Sequence, residues 1–310
     1  MDSSRDLPRP ADDGPAPDAP CLDEAAGAGH AIDRPDRPCG AVVFASPHSG
    51  RDYPADLVAA SRLDAHSLRR SEDCFVDEIF AGVTAVGAPL IRALFPRAYL
   101  DVNREAYELD PTMFEDALPD HCNTRSPRVM AGLGTVARVV ASGAEIYARR
   151  LRAAEALDRI ERLYKPYHRD LAALIEERRA IAGQAILIDC HSMPSVGGPQ
   201  DFDPGRRRAD VILGDAHGAA CSPVVVDAVA RAFADMGYRV GRNAPYAGGH
   251  TTCHYGRPAA GVHALQIEIN RALYMDERRY ARKPFLAQLA ADMRRLAASL
   301  IGLEAHSLAA

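Results

Sequence analysis

Two histidines and a neighbouring pair of carboxylates have the residue types that bind a zinc ion. His48 follows a predicted buried strand at Ala41–Ala45, and His191 ends a second one in the stretch ILIDCH. Glu72 and Asp73 stand just before or at the start of the helical stretch CFVDEIFAGV. Catalytic zinc sites use three protein ligands of this kind and keep the fourth position open for water. Two histidines and one carboxylate from separate segments therefore predict a metal site.

A further carboxylate, Glu268, belongs to a predicted strand in which polar and apolar residues alternate. In the stretch LQIEIN the polar side chains share one face of the strand, which carries Gln266, Glu268 and Asn270. Polar groups on a strand that is otherwise fit for burial require partners, and a polar cavity would supply them. A carboxylate that does not bind the metal can serve as the general base for water, and Glu268 is the candidate.

Each of these residues also has a purely structural explanation. His48 could cap a turn, Asp73 could cap its helix, and Glu268 could form a buried ion pair with an arginine. The spacing matches no compact zinc motif such as H-E-x-x-H. Cys190 adjoins His191 in sequence, but on a strand it points to the opposite face, which indicates a core residue.

Predicted strands alternate with predicted helices along most of the chain. Strands are predicted in AVVFA, APLIRALF, AILIDCH, ADVILGD and GVHALQIEIN, and helices at about residues 64–83, 142–182, 222–237 and 284–303. This alternation indicates a mainly parallel sheet with helices on both faces. Ligands of such sheets bind outside the carboxyl ends of the strands, which is where His48 and His191 fall. The Pro-containing loop from Asp110 to Arg128 is expected to form part of a site rim.

Composition and charge exclude several classes of protein. The chain has 310 residues, of which 47% are hydrophobic and 6% aromatic, and a formal net charge of −5, so no nucleic-acid partner is predicted. No apolar run approaches the ~20 residues of a membrane span, and the N-terminus lacks the apolar centre of a signal peptide. Seven cysteines at irregular spacing, without a C-x-x-C pair, favour a cytoplasmic protein without a disulfide framework.

The first part of the chain differs in composition from the rest. Residues 1–38 are rich in Pro, Asp, Gly and Ala and have little apolar periodicity, so they are predicted to be disordered or loosely attached. Residues 39–310 are predicted to form a single α/β domain. The oligomeric state cannot be derived from these patterns.

An ordered series of short motifs resembles the N-formylglutamate amidohydrolase family. The series runs from about residue 40 to 280 and consists of SPHSGRDYP, RSEDCFVDEIF, YLDVNRE, LIDCHSMPS, VILGD, YAGGHTTCHYGRP and ALQIEINRALYMDE. The resemblance implies a three-layer α/β/α fold with a mixed, mainly parallel central sheet, similar to the zinc carboxypeptidases and aspartoacylases. It also implies a zinc-dependent amidohydrolase that converts N-formyl-L-glutamate and water to formate and L-glutamate, late in histidine degradation.

Motif matching implies a metal centre with one Zn²⁺ per chain, or another divalent metal. Its implied ligands are His48, Asp73 and His191, and Glu72 is an alternative to Asp73. Glu268 falls where related enzymes have the carboxylate that activates water. The chemistry agrees, because an amide needs a strong nucleophile and a polarised carbonyl.

The implied substrate is a small acyl-amino acid with two carboxylates, so the site is expected to contain cationic groups. Arginine matches a carboxylate with its planar fork, and Arg104 is the first candidate and Arg271 the second. Asn103 is expected to add a hydrogen bond, and His254 and Tyr255 are further predicted substrate-binding residues.

Two alternatives remain beside this interpretation. His250 stands after the double glycine, where an aromatic residue is expected in the enzymes of histidine degradation, so a metal-dependent deacylase of another N-acyl or N-formyl amino acid is the first alternative. The second is a relative that binds carboxylates without turnover. The presence of Glu268 together with a full ligand set argues against that second alternative.

Overall fold

The computed structural model describes residues 29–199 and 201–303, and its centre is a mixed sheet of seven strands. The strands are β1 (His30–Asp33), β2 (Val42–Ser46), β3 (Leu90–Ala93), β4 (Ala185–Met193), β5 (Val211–Gly214), β6 (Val240–Arg242) and β7 (Val262–Asn270). Their order across the sheet is β1-β3-β2-β4-β7-β5-β6. The inner pairs β2–β3, β2–β4 and β4–β7 are parallel, as is β5–β6, whereas β1–β3 and β5–β7 are antiparallel. A separate short ribbon consists of β8 (Met275–Asp276) and β9 (Ala281–Arg282).

Helices cover the sheet on both faces. They are α1 (Ala55–Ala60), α2 (Ala65–Leu68), α3 (Val76–Phe80), α4 (Pro127–Met130), α5 (Ala153–Arg159), α6 (Lys165–Ala182), α7 (Pro223–Asp235), α8 (His250–Tyr255) and α9 (Phe285–Ile301). Among the described residues, no helix is long and apolar enough to span a bilayer.

The alternation of side chains along β4 and β7 divides the core into two layers. Ile188 and Cys190 of β4 belong to a cluster with α3, α7 and α9, whereas Leu187 belongs to a second cluster with α1, α5 and α6. Both strands are buried along their whole length, which requires apolar residues on both faces. The predicted three-layer fold is therefore confirmed, and Cys190 is a core residue as predicted.

The alternation on β4 and β7 also generates the polar end of the sheet. On the face that carries Leu187, the next side chains towards the carboxyl end are Asp189 and His191. On β7, Gln266 and Glu268 lie directly beside them, paired with Asp189 and His191 respectively. The helices of that layer do not cover this end, and a cavity opens there.

Several predicted elements differ from the structure. The helical region predicted from residue 142 begins at Ala153. It is not one continuous helix, because a π-helical turn at Ile160–Tyr164 separates α5 from α6. Residues 1–28 of the predicted extension lie outside the described residues. Within 29–38, however, β1 pairs with β3 and His30 bonds to Asp170, so the ordered fold begins before residue 39.

Candidate metal centre

Three side chains predicted to bind a metal meet at the carboxyl end of the sheet. One potential ligand atom from each of His48, Asp73 and His191 lies within 4.8 Å of the others, and all three residues are buried. The Oδ2 atom of Asp73 is 3.1 Å from Nδ1 of His191 and 3.5 Å from Nδ1 of His48. Among the described residues, this is the one group of three His, Cys, Asp or Glu side chains with such geometry.

Each of these three side chains reaches the site from a different segment. His48 lies two residues after β2, and His191 is near the end of β4, the strand beside β2. Asp73 lies in the turn between a 3₁₀ helix at Arg69–Ser71 and α3. The backbone N–H of Asp73 donates to the carbonyl of His48 over 3.0 Å, which holds this turn against the end of β2.

The hydrogen bond between His48 and Asp101 leaves one nitrogen of the imidazole available. Burial raises the pKa of Asp101, but Arg104 and Arg97 outweigh burial and hold it well below its usual range. Asp101 is therefore ionised, and Nε2 of His48 donates to its Oδ1 over 2.7 Å. Nδ1 of His48 is buried and has no hydrogen-bond partner among the described residues. This nitrogen faces Asp73, which is the arrangement that a histidine ligand requires.

The electrostatics around His191 also fit a bound cation. Its Nε2 lies 2.9 Å from Oδ1 of Asp189, and its Nδ1 faces Asp73. Burial lowers the pKa of His191, but the two carboxylates outweigh it and raise the pKa well above its usual value. The buried carboxylates beside His191 are therefore stabilised by positive charge, and a divalent cation would supply that charge. The residues present thus fit a metal ion.

Glu72 has its own set of partners away from the three ligand atoms. Its carboxylate accepts hydrogen bonds from the hydroxyl of Tyr53 over 2.5 Å and from Nε of Arg69 over 3.1 Å. The thiol of Cys74 also donates to it, over 3.1 Å. The sequence left Glu72 and Asp73 as alternatives, and the geometry brings only the Asp73 carboxylate to both histidines.

The proposed base, Glu268, is adjacent to His191 on the neighbouring strand. Its Oε1 accepts a hydrogen bond from Nε2 of Gln266 over 2.8 Å, while Oε1 of Gln266 accepts from the backbone N–H of Gly249 over 2.7 Å. Burial raises the pKa of Glu268 to about 7, and Asp73 acts in the same direction. The carboxylate thus faces the cavity beside the ligand set with a pKa suited to proton transfer at neutral pH.

A cavity of about 450 Å³ contains this group of residues. Asn103 and Arg104, predicted to bind substrate, both line it. Oδ1 of Asn103 accepts from the backbone N–H of Thr251 over 2.7 Å, and its Nδ2 lies 3.2 Å from Nε2 of His191. Nε of Arg104 donates to the carbonyl of Leu133 over 2.8 Å.

Arg271 lines the same cavity but is bound to a proposed metal ligand. Its Nη2 donates to Oδ1 of Asp73 over 2.8 Å, and its Nε donates to Oγ of Ser192 over 3.1 Å. The guanidinium therefore fixes the oxygen of Asp73 that does not face the histidines. Substrate binding by Arg271 stays a prediction, because the geometry commits its Nη2 to Asp73.

The structure does not bring His254 and Tyr255 to the cavity lining. Both lie in the short helix α8, which begins directly after the double glycine. The Tyr255 hydroxyl is 2.9 Å from Nδ1 of His168, and the His254 ring stacks on His250. Their predicted role in substrate binding stays a prediction.

Three arginines of the cavity lining were not singled out from the sequence, namely Arg70, Arg97 and Arg128. Arg97 donates to Oδ2 of Asp101 over 2.7 Å, and an ion pair at this i, i+4 spacing could have been suspected in FPRAYLD. Arg128 is the last residue of the loop predicted to form a rim, and it lines the cavity from α4. Arg128 carried no comparable local signal, because an exposed charged residue is most often solvated.

Comparison with known proteins agrees with this architecture. The family model described as N-formylglutamate amidohydrolase matches residues 40–275. An N-formylglutamate deformylase of Pseudomonas aeruginosa is 29% identical over 239 residues, which cover 76% of this chain and 82% of the relative. The N-formylglutamate deformylase of Pseudomonas putida is 27% identical over the same shares of both chains.

Two solved structures share the fold. The crystal structure of an N-formylglutamate amidohydrolase from Ralstonia eutropha is 35% identical, with a TM-score of 0.81, and the match covers 88% of this chain and 97% of that one. A gene product of Agrobacterium tumefaciens is 22% identical, with a TM-score of 0.58 over 89% of this chain and 97% of its own. The second similarity concerns the fold alone.

Proposed function

Because this chain belongs to the N-formylglutamate amidohydrolase family, we propose that it hydrolyses N-formyl-L-glutamate to formate and L-glutamate. The observation that carries the proposal is the group of His48, Asp73 and His191, with their ligand atoms within 4.8 Å of one another beside the buried Glu268. We further propose that the reaction belongs to histidine degradation, as the family resemblance implies.

The proposed cofactor is one zinc ion per chain, held by His48, Asp73 and His191. Two imidazoles and one carboxylate are a ligand set of catalytic zinc sites. When bound, the ion supplies Lewis acidity, which polarises a carbonyl oxygen and makes water a nucleophile near neutral pH. Asp101 fixes the His48 ring, and Arg271 fixes the Asp73 carboxylate, so both ligands are held in orientation by buried partners.

The proposed general base is Glu268. The water oxygen attacks the formyl carbon, and Glu268 accepts the water proton. As the C–N bond breaks, the same carboxyl group delivers that proton to the nitrogen of the leaving amine. A pKa of about 7 suits both steps, because the group exchanges its proton readily at neutral pH. Gln266 orients the carboxylate through its amide N–H.

The proposed substrate contacts are Asn103 and Arg104. The amide of Asn103 is held by Thr251 and stands beside His191, so it can donate to a substrate oxygen next to the ligand set. The carboxylate of Asp101 contacts both Arg104 and the proposed ligand His48, so Arg104 lies close to the proposed metal site. That position suits the α-carboxylate, which is separated from the scissile amide nitrogen by a single carbon. Arg271, His254 and Tyr255 are kept as predicted substrate-binding residues.

The test measures metal content and formate release on one purified sample. N-formyl-L-glutamate is offered beside N-acetyl-L-glutamate and N-formyl-L-methionine, before and after treatment with a chelator. The proposal expects about one zinc per chain and chelator-sensitive release of formate from N-formyl-L-glutamate. Bound metal with turnover of another substrate only would replace the proposed substrate with a different acyl-amino acid. Metal-free protein that still releases formate would contradict the metal-dependent mechanism.

A further inference from the structure

One wall of the cavity carries an excess of positive charge. Three arginines, Arg97, Arg104 and Arg128, line this wall together with the carboxylate of Asp101. Asp101 is already shared, because its Oδ1 accepts from His48 and its Oδ2 from Arg97. Nη2 of Arg104 lies 3.5 Å from the same Oδ2 atom. One carboxylate therefore contacts two guanidinium groups and one imidazole, and it forms no ion pair with the third guanidinium group, that of Arg128.

A short backbone connection places Arg128 next to Arg104. The N–H of Leu133 donates to the carbonyl of Arg128 over 2.8 Å. The carbonyl of Leu133 accepts from Nε of Arg104, also over 2.8 Å. Leu133 thus links the two arginines, and it lines the cavity between them.

The two arginines differ in exposure and in their existing partners. Arg104 is buried, with three of its guanidinium nitrogens near Leu133, Asn103 and Asp101. Arg128 is exposed, and within residues 29–199 and 201–303 its side chain has no hydrogen bond or ion pair. A guanidinium that lines a cavity without an anionic partner is available to a ligand.

The pKa of Arg104 reflects its repulsion by the two neighbouring arginines. Burial, together with Arg97 and Arg128, lowers the pKa of Arg104 to about 10, although Asp101 and Glu108 act in the opposite direction. An additional carboxylate in the cavity would relieve this repulsion. The wall is therefore prepared for an anion that the protein itself does not supply.

We infer that Arg128 forms a subsite for the side-chain carboxylate of a dicarboxylic acyl-amino acid, next to Arg104, which is proposed to bind the α-carboxylate. This inference rests on the proposed function and names the residue that selects a dicarboxylate. Arg104 is connected through Asp101 to the ligand His48, so it lies on the inner side of the wall. Arg128 stands at the exposed end, where the carboxylate remote from the scissile amide reaches.

The chemistry of this contact determines which kinetic parameter depends on it. A planar guanidinium binds a carboxylate through two parallel N–H donors and discriminates against a neutral amide of the same shape. The contact is remote from the reacting atoms and is made equally in the bound substrate and in the transition state. Loss of it is therefore expected to raise KM more than it lowers kcat.

The experiment compares R128Q with the matched control R70Q. Arg70 is also an exposed arginine of the cavity lining, but its Nη1 donates to Oγ of Ser142. Each protein is assayed with N-formyl-L-glutamate and with N-formyl-L-glutamine, which lacks the side-chain charge. R128Q is expected to reduce the preference for the dicarboxylate, as the ratio of the two kcat/KM values, by about tenfold or more. R70Q is expected to change this ratio by less than about threefold.

A binding measurement separates failure of this inference from failure of the proposed function. Isothermal titration with glutarate and with its monoamide is carried out on the same three proteins as purified. In one outcome, the wild-type protein fails to hydrolyse N-formyl-L-glutamate while R128Q alone loses about tenfold in affinity for glutarate relative to the monoamide. In that case the subsite stands without the proposed reaction. The subsite is overturned if wild type and R128Q have the same preference for the dicarboxylate over its amide. It is also overturned if R128Q and R70Q reduce this preference equally.

Discussion

Glu72 and Asp73 are consecutive in the chain, yet their carboxylates have entirely different partners. Asp73 faces His48 and His191 with one oxygen and Arg271 with the other. Glu72 is held by Tyr53 and Arg69 on the far side of the same turn. The turn that contains both residues ends at Phe75, whose φ of 65° lies in the left-handed region. Two adjacent acids thus have separate tasks, one at the proposed metal and one in support of the turn.

This separation predicts opposite results for two matched substitutions. Asp73→Asn is expected to reduce zinc affinity by more than about 100-fold, because removing a ligand costs more than removing an outer partner. Glu72→Gln is expected to keep the metal but to lower the free energy of unfolding by about 1–3 kcal/mol, since Arg69 loses a charged partner. Metal analysis after dialysis and denaturant unfolding measure the two effects. Loss of zinc in the Glu72 variant alone would reverse the assignment.

Substitution of Glu268 tests the proposed base. Glu268→Gln is expected to keep about the wild-type zinc content, because Glu268 is not among the three ligands. Its kcat is expected to fall by about 10²–10⁴, the usual contribution of a general base. His191→Ala serves as the comparison, because it is expected to lose metal and activity together. Near-normal turnover by Glu268→Gln would falsify the role given to this residue.

Asp101 is expected to act on metal binding through His48. Asp101→Asn removes the charge that fixes the tautomer of the ring, so zinc affinity is expected to fall about 10- to 100-fold. Asp110 offers a matched control, because it is also buried and pairs with Arg138 away from the ligand set. Competition with a chromophoric chelator measures both affinities. Equal affinities in the Asp101 and Asp110 variants would mean that His48 needs no such partner.

The pH dependence of stability is expected to report on Glu155 at the start of α5. Arg149 hydrogen-bonds its carboxylate and lowers its pKa to about 2, below that of the unfolded chain. Stability from this group is therefore fully present above about pH 5 and is lost as the pH falls towards 2.

We expect the free energy of unfolding of the wild type to exceed that of Glu155→Gln by at most about 1 kcal/mol near neutral pH, because the Arg149–Glu155 pair is screened by solvent. The two proteins are expected to converge near pH 2. Thermal unfolding at several pH values measures the difference, and a constant difference down to pH 2 would rule out the charge as its cause.

The sequence was most informative where burial forces a regular pattern. The apolar runs of β2, β4, β5 and β7 predicted buried strands because a sheet covered on both faces needs apolar residues on both. The resemblance implied a coherent ligand set, and the structure brings those three side chains together. The helix predicted at about residues 222–237 is α7, and the hydroxyl of Ser222 caps it by accepting from the backbone N–H of Val224.

The remaining features depend on contacts between segments, which local patterns do not contain. Nothing near Arg271 indicates that its guanidinium reaches Asp73, 198 residues earlier in the chain. The position of Arg128 depends on the path of a long loop. His254 and Tyr255 were predicted to bind substrate, and the short helix α8 directs both of them towards His168.

The order of these segments along the chain has a consequence for how the protein is made. During synthesis, His48, Asp73 and His191 leave the ribosome before Glu268 and Arg271. A nascent chain that ends before β7 lacks the strand that pairs with β4 along its whole length, and it lacks the guanidinium that holds Asp73. An ion that meets this chain finds loosely held ligands and no base. We therefore expect stable loading with the proposed metal only after β7 has been synthesised, so the ions available to the folded protein would decide which metal is bound.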